Sequence, residues 1–405
     1  MLRLGKEIMI FDGGMGSELV KAGITYTVPE DLNVTHPDAI KKIHNSYNDA
    51  DFITTNTFGL NKIKYKGKYT VKEVAEKAIE NARATGKFVF FDIGPTGALL
   101  KPLGQLSFDD AYEAFKEVVS ASKDKVDGYI IETFSDLYEL KAAVMAVKEN
   151  SDKPLFVTMT FDKSGRTLTG TTPEIMVAFL EGFGVDALGV NCSLGPKDLF
   201  GVVDRIIKCA NVPVMVQPNR GIPELIDGRS HYTLTVEEFT ESVSEFVKMG
   251  VSIVGGCCGT DPSFISSIAK FKGTPIARPG NEKKKVITSG SKLVEIGDET
   301  EFADISVDDS VTEDDCEDIA YDVLDTVDDG ADVINLKIEG ADISIVRALV
   351  EKIQEICNVP LQFTSEDVDA IETAVRYYNG VPLIRFEGDT AKADEIVKRY
   401  GAKLI

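Results

Sequence analysis

A chain of 405 residues with 43% hydrophobic content is long enough for two domains with substantial cores. Its formal net charge of −22 argues against nucleic acid and anionic membrane surfaces as partners, since both call for basic patches. No run approaches the roughly 18 apolar residues of a membrane-spanning helix. The N-terminal MLRLGKEIMIFDGG runs straight into a strand pattern without a signal-peptide core, so a cytoplasmic location is expected. Six cysteines are too few for a disulfide scaffold. In a reducing compartment, clustered cysteines point to metal or catalysis.

Eight short apolar runs occupy the first 260 residues: 8–11, 52–55, 88–91, 128–131, 155–160, 187–190, 212–217 and 252–256. Each is too short for a buried helix and rich in Val, Ile or Phe, the pattern of parallel strands covered on both faces. Helical patterns lie between them. Residues 70–87 are the clearest, opening on a Thr70/Glu73 capping box, which Thr235 and Glu238 repeat before the last run. Eight such units predict a (β/α)8 TIM barrel over residues 1–282. The residues after the runs are polar: Asp12, Asn56, Asp92, Glu132, Cys192, Asn219 and Cys257-Cys258. In this fold they converge on the C-terminal mouth, where active sites lie.

Residues 275–292 shift to Pro, Gly, Ser and Lys, and 283–292 reads as a linker. Residues 295–318 hold twelve Asp and Glu and no Lys or Arg, and read as a solvated loop and helix start. A helix over 315–328 and strands at 333–338, 361–364 and 382–386 follow. They predict a smaller α/β half-barrel-like domain over 293–405, either an open sheet or a barrel completed by another chain. It is the candidate for an oligomer contact.

Cys192 in GVNCSLGP and the pair in GGCCGT meet at one mouth in this arrangement. Three thiolates suit Zn²⁺ and leave a fourth tetrahedral position open. Strain disfavours a disulfide between the adjacent Cys257 and Cys258. Buried structural cysteines and redox thiols remain as alternatives. Cys209, Cys316 and Cys357 lie on apolar helix faces and read as core. A zinc ion with three thiolates activates water poorly but holds a thiol as thiolate, so the matching chemistry is attack by a thiol substrate on an alkyl group. Asp12 and Glu132 would hold the ammonium of an amino-acid thiol, with a helix cap and a strand-end salt bridge as their structural alternatives.

DGGMGSEL, TNTFG, DIGPTG, IIETF, GVNCSLGP, PNRGIP and GGCCGT, in that order across residues 12–260, resemble the zinc-dependent homocysteine S-methyltransferase family. The resemblance implies that Cys192, Cys257 and Cys258 bind zinc and carry the catalysis, with homocysteine as fourth ligand. It also implies that Asp12, Gly13 and Glu132 hold the amino-acid head; Gly14 and Asn219 are counted with them. Arg220 departs from the family pattern, which has a small residue there, and is expected to narrow the mouth or meet an acidic partner. The order of the modules, with SGSKLVEIG after the barrel, is similar to the front half of cobalamin-dependent methionine synthase, whose second barrel binds methyltetrahydrofolate. Here that module resembles only the start of such a barrel, and its ligand positions are altered to IGDETEF, Asn335, Lys337 and Thr364. Folate binding is therefore expected to be lost. A cobalamin signature needs Asp two residues before a His, and Val34, Lys42 and Arg229 stand there. The expected function is methionine formation, with the methyl group on methylcobalamin or a related corrinoid of a separate protein. The alternatives are a small donor (S-methylmethionine, S-adenosylmethionine or a betaine) and a non-catalytic zinc-binding scaffold.

Overall fold

The computed structural model describes residues 3–221, 224–226, 229–276, 280–282, 284–388 and 390–405. Ile222 and Pro223 of PNRGIP, and Lys283 of the expected linker, lie outside them. The chain divides into two compact units. One comprises Met1–Leu99, Asp109–Leu168 and Val185–Asn281, the other Leu100–Phe108, Thr169–Gly184 and Glu282–Ile405. Two excursions between barrel strands, Leu100–Phe108 and Thr169–Gly184, group with the C-terminal residues.

In the first unit, all eight apolar runs form strands: β1 (Met9–Ile10), β2 (Phe52–Thr54), β3 (Phe88–Ile93), β4 (Gly128–Phe134), β5 (Leu155–Met159), β6 (Ala187–Asn191), β7 (Val214–Gln217) and, after the hairpin of β8 (Glu224–Ile226) and β9 (Arg229–His231), β10 (Ile253–Val254). They pair in the order β1-β10-β7-β6-β5-β4-β3-β2, all parallel. A parallel bridge between Phe11 and Phe52 joins the two ends of this sheet. The result is the expected (β/α)8 barrel. Both capping boxes form, before helices Val71–Arg83 and Val236–Met249.

Side chains alternate along each strand, and the inward set packs an aromatic core of Phe11, Phe52, Phe90 and Phe156 with Met9, Ile130, Ala187, Met215 and Ile253. Phe11 and Phe52 stack at 4.6 Å, and Phe90 and Phe156 approach to the same distance. Two residues further along, the same inward parity brings up Thr54, Asp92, Thr158, Gly189, Gln217 and Gly255. An apolar floor therefore carries a polar layer at the C-terminal mouth. The opposite end is structural. There Asp51, Asp127 and Asp186 each precede a strand and accept the backbone N–H of a neighbouring one, from Ile10 (2.9 Å), Val89 (2.8 Å) and Leu155 (2.8 Å).

The second unit carries an open parallel sheet, β13 (Phe302–Asp308), β14 (Val333–Glu339), β15 (Leu361–Ser365), β17 (Leu383–Phe386) and β18 (Lys403–Leu404), paired in that order. A smaller antiparallel sheet joins β11 (Val286–Ser289), β12 (Leu293–Glu295) and β16 (Gly380–Val381). Two readings of the sequence are corrected here. The segment expected as a linker contains β11, whose Ile287 packs with Val333 and Leu383. The acidic segment contains β13, where Asp304, Ser306 and Asp308 alternate with Ile305 and Val307; the acids masked a strand with one apolar side. The helix Asp315–Asp328 forms as expected.

Candidate active site

The strand ends of the first unit bring Cys192, Cys257 and Cys258 together, with all three sulfurs within 4.8 Å of one another. The Sγ atoms of Cys192 and Cys258 lie 3.9 Å apart. A tetrahedral zinc with sulfurs at about 2.3 Å requires a separation of about 3.8 Å, so the donor set fits that ion in type and spacing. Cys192 sits just past β6 in the left-handed region (φ 57), followed by Ser193 (φ 55). Its backbone N–H donates to Gln217 O at 3.1 Å. Thr133 (φ 65) completes the set of non-glycine residues with positive φ among the described residues, and all three lie at this mouth. Backbone strain concentrated at one place is a mark of a functional site.

The Cys257-Cys258 turn is held from three directions. Gly256 N–H donates to Asp12 O (3.1 Å), Cys257 N–H to Pro218 O (3.0 Å), and Arg220 N–H to Cys258 O (2.9 Å). Asn219 Oδ1 accepts the Cys258 N–H at 3.1 Å, so this side chain, counted above with the substrate contacts, braces a metal-ligand candidate. Thr260 Oγ1 donates to Cys257 O at 2.6 Å. Gly14 N–H faces both Thr260 O and Thr260 Oγ1 at 3.3 Å. A Cβ on Gly14 would stand 2.9 Å from Cys257 O, and one on Gly13 would stand 2.9 Å from Thr260 Oγ1. The glycines of DGGMG thus let the first turn press against the cysteine turn. The Arg220 guanidinium donates to Leu234 O (3.0 Å) and lies 4.9 Å from the centre of the Phe264 ring.

Without a cation the three thiols compete for one negative charge. Hydrogen bonds from Cys257 and Cys258 hold the Cys192 thiol well below the usual range, and their bonding to Cys192 pushes both of those thiols up. A bound dication removes this conflict by stabilising three thiolates at once.

Acidic groups line the same mouth. Asp12 accepts from Thr54 N–H and Thr54 Oγ1, both at 2.9 Å, and burial pushes its carboxyl up to about 7. Glu132 sits where β4 slips its register against β5, between Ile131 and Phe134. Burial, with the nearby Cys192 and Asp12, pushes Glu132 up to about 8.

Asn191, fully buried, ties the two groups together. Its Nδ2 donates to Thr133 Oγ1 (2.8 Å), faces Glu132 Oε2 at 3.3 Å and lies 4.0 Å from Cys257 Sγ. Its Oδ1 accepts from Thr133 N–H (3.0 Å) and Thr158 Oγ1 (2.9 Å). Asn191 was not singled out in the sequence. Its signal is positional, since it lies one residue before Cys192 with the inward parity of β6.

A sequence model described as homocysteine S-methyltransferase matches residues 9–271. The chain belongs to the homocysteine S-methyltransferase family. That match takes in every site residue named above. Methionine synthase from Mycobacterium tuberculosis is 27% identical over 460 residues, covering 99% of this chain and 38% of that protein. Methionine synthase from Mycobacterium leprae is 26% identical over 465 residues, with the same coverage. The chain therefore spans a little over a third of the length of these relatives. Among solved structures, the metallated form of the homocysteine methyltransferase MmuM from Escherichia coli superposes with a TM-score of 0.57 at 20% identity, covering 65% of this chain and 96% of that one. Its apo form gives 0.52. These structures share the barrel fold with this family member. No helix among the described residues is long and apolar enough to cross a membrane.

Proposed function

We propose that this chain is a homocysteine S-methyltransferase that forms methionine, taking the methyl group from a corrinoid carried by a separate protein. The observation that carries the reading is the convergence of three sulfurs and buried carboxyls at one barrel mouth. Zinc held by Cys192, Cys257 and Cys258 would supply a fourth position at which a substrate thiol is kept deprotonated and nucleophilic. Asp12 and Glu132 hold the substrate ammonium, and Asn191 fixes the carboxyl of Glu132 relative to Cys257. The floor of Phe11, Phe52, Phe90 and Phe156 closes the barrel below the site, so the thiolate is approached only from the mouth. Positioning of the thiolate for in-line attack on the methyl carbon is what these residues contribute.

The choice of donor rests on the second unit. Asn335 Nδ2 donates to Asp304 Oδ1 (2.8 Å), its Oδ1 accepts from Thr364 Oγ1 (2.7 Å), and Lys337 pairs with Asp304 at 2.7 Å. The altered ligand positions satisfy one another, which supports loss of folate binding.

The test is methionine formation from homocysteine with three donors offered separately to the zinc-loaded protein. A methylated corrinoid protein should support turnover, at a rate that falls as salt rises if the acidic segment 295–318 meets a basic partner. Methyltetrahydrofolate should neither serve as donor nor bind at micromolar concentration. Turnover with S-methylmethionine and none with any corrinoid protein would replace this reading with the small-donor one.

A further inference from the structure

Asp92 is the penultimate residue of β3 and is only 5% exposed. The backbone around it is fixed by two threonines of the TNTFG turn. Asp92 N–H donates to Thr55 Oγ1 (3.0 Å), Thr57 Oγ1 donates to Asp92 O (2.8 Å), and the two hydroxyls lie 2.6 Å apart. Oδ1 of the carboxyl is buried with no hydrogen-bond partner among the described residues. An unpartnered buried carboxylate oxygen is costly and calls for an explanation. Thr160 Oγ1 and Gln217 Oε1 are likewise buried without partners among the described residues. The three residues stand at the ends of β3, β5 and β7 with inward parity, so unsatisfied polar atoms come from alternate strands around one mouth.

The surroundings of Asp92 are acidic. Burial raises its carboxyl well above the usual range; Glu132, Asp12 and Glu30 add to the effect, in that order, and Lys64 opposes it least strongly. Glu132 lies on the strand adjacent to that of Asp92. Asp92 pairs in register with Ile130, two residues before Glu132 on the adjacent strand. Lys64, the one cation among these causes, has its ammonium 4.3 Å from the centre of the Phe58 ring. A compact cation placed between Asp92 and Glu132 would satisfy both.

Resting on the homocysteine reading, we infer that Asp92 is a substrate-binding residue that receives the ammonium group together with Glu132 and makes the site selective for an amino-acid thiol. The aromatic floor lies two residues below, so the ammonium binds at the bottom of the mouth. Discrimination follows from the unpaired oxygen: a thiol without the amino group leaves it buried and unsatisfied.

The experiment is calorimetric titration of the zinc-loaded protein and of Asp92→Asn with homocysteine and with 4-mercaptobutanoate, its analogue without the amino group. The full chain should prefer homocysteine. Asp92→Asn should narrow that preference about tenfold or more while zinc content and affinity for the analogue stay unchanged. In the absence of substrate, Asp92→Asn should melt at a higher temperature, because it removes a buried carboxylate that pairs only with the ligand. An unchanged preference, or a lower melting temperature, would overturn the role of Asp92 and leave the homocysteine reading standing. A parent protein that binds neither thiol would overturn both.

Discussion

Cys257→Ala should lose its zinc and its ability to form methionine, while Cys209→Ala, Cys316→Ala and Cys357→Ala keep both. The expected loss is large because few ligands share the binding energy. Structural zinc sites with four protein ligands bind with about 10–16 kcal/mol, so one thiolate accounts for roughly 3 kcal/mol, more than 100-fold in affinity. The backbone should survive the change. The bonds from Cys257 N–H to Pro218 O and from Thr260 Oγ1 to Cys257 O involve main-chain atoms that alanine retains. The control cysteines are placed differently. Cys316 and Cys357 are buried apolar residues, and Cys209 Sγ lies 3.0 Å from Arg205 O within its own helix. Metal analysis of the four purified variants reads the result. Full zinc content in Cys257→Ala would mean that the ion sits elsewhere.

Glu132→Gln should weaken homocysteine binding by about 1.5–3 kcal/mol, the range of a hydrogen bond to a charged group, or about 10- to 150-fold. The substitution preserves shape, and the amide oxygen can still accept from Asn191 Nδ2. What it removes is the negative charge opposite the ammonium. Zinc should stay bound, since the three sulfurs are untouched. Calorimetric titration of the zinc-loaded variant measures the change. An affinity equal to that of the parent would take Glu132 out of the substrate site.

The barrel was legible because a strand buried on both faces leaves an apolar run that few other structures explain. The cysteine cluster was legible because strand ends in this fold share one mouth. Other features were hidden for physical reasons. β13 carries acids on its polar side, so composition reads as loop while its period-2 alternation is that of a strand. β11 is only four residues long and follows a lysine run, so its Ile287 gives little signal of a core position. Asn191 and Asp92 gain their meaning from register across strands. Asn191 reaches β4, β5 and the cysteine turn at once, and the missing partner of Asp92 Oδ1 is a property of the folded mouth. Asn219 Oδ1 also braces the Cys258 N–H, a contact between the β7 turn and the cysteine loop that strand spacing alone does not indicate.

The account stands most directly on the sulfur count around the metal. X-ray absorption at the zinc edge, on the full chain loaded with one zinc, should report three sulfur neighbours without substrate and four after homocysteine is added. Two or fewer sulfurs in the substrate-free protein, or a count that homocysteine leaves unchanged, would contradict it.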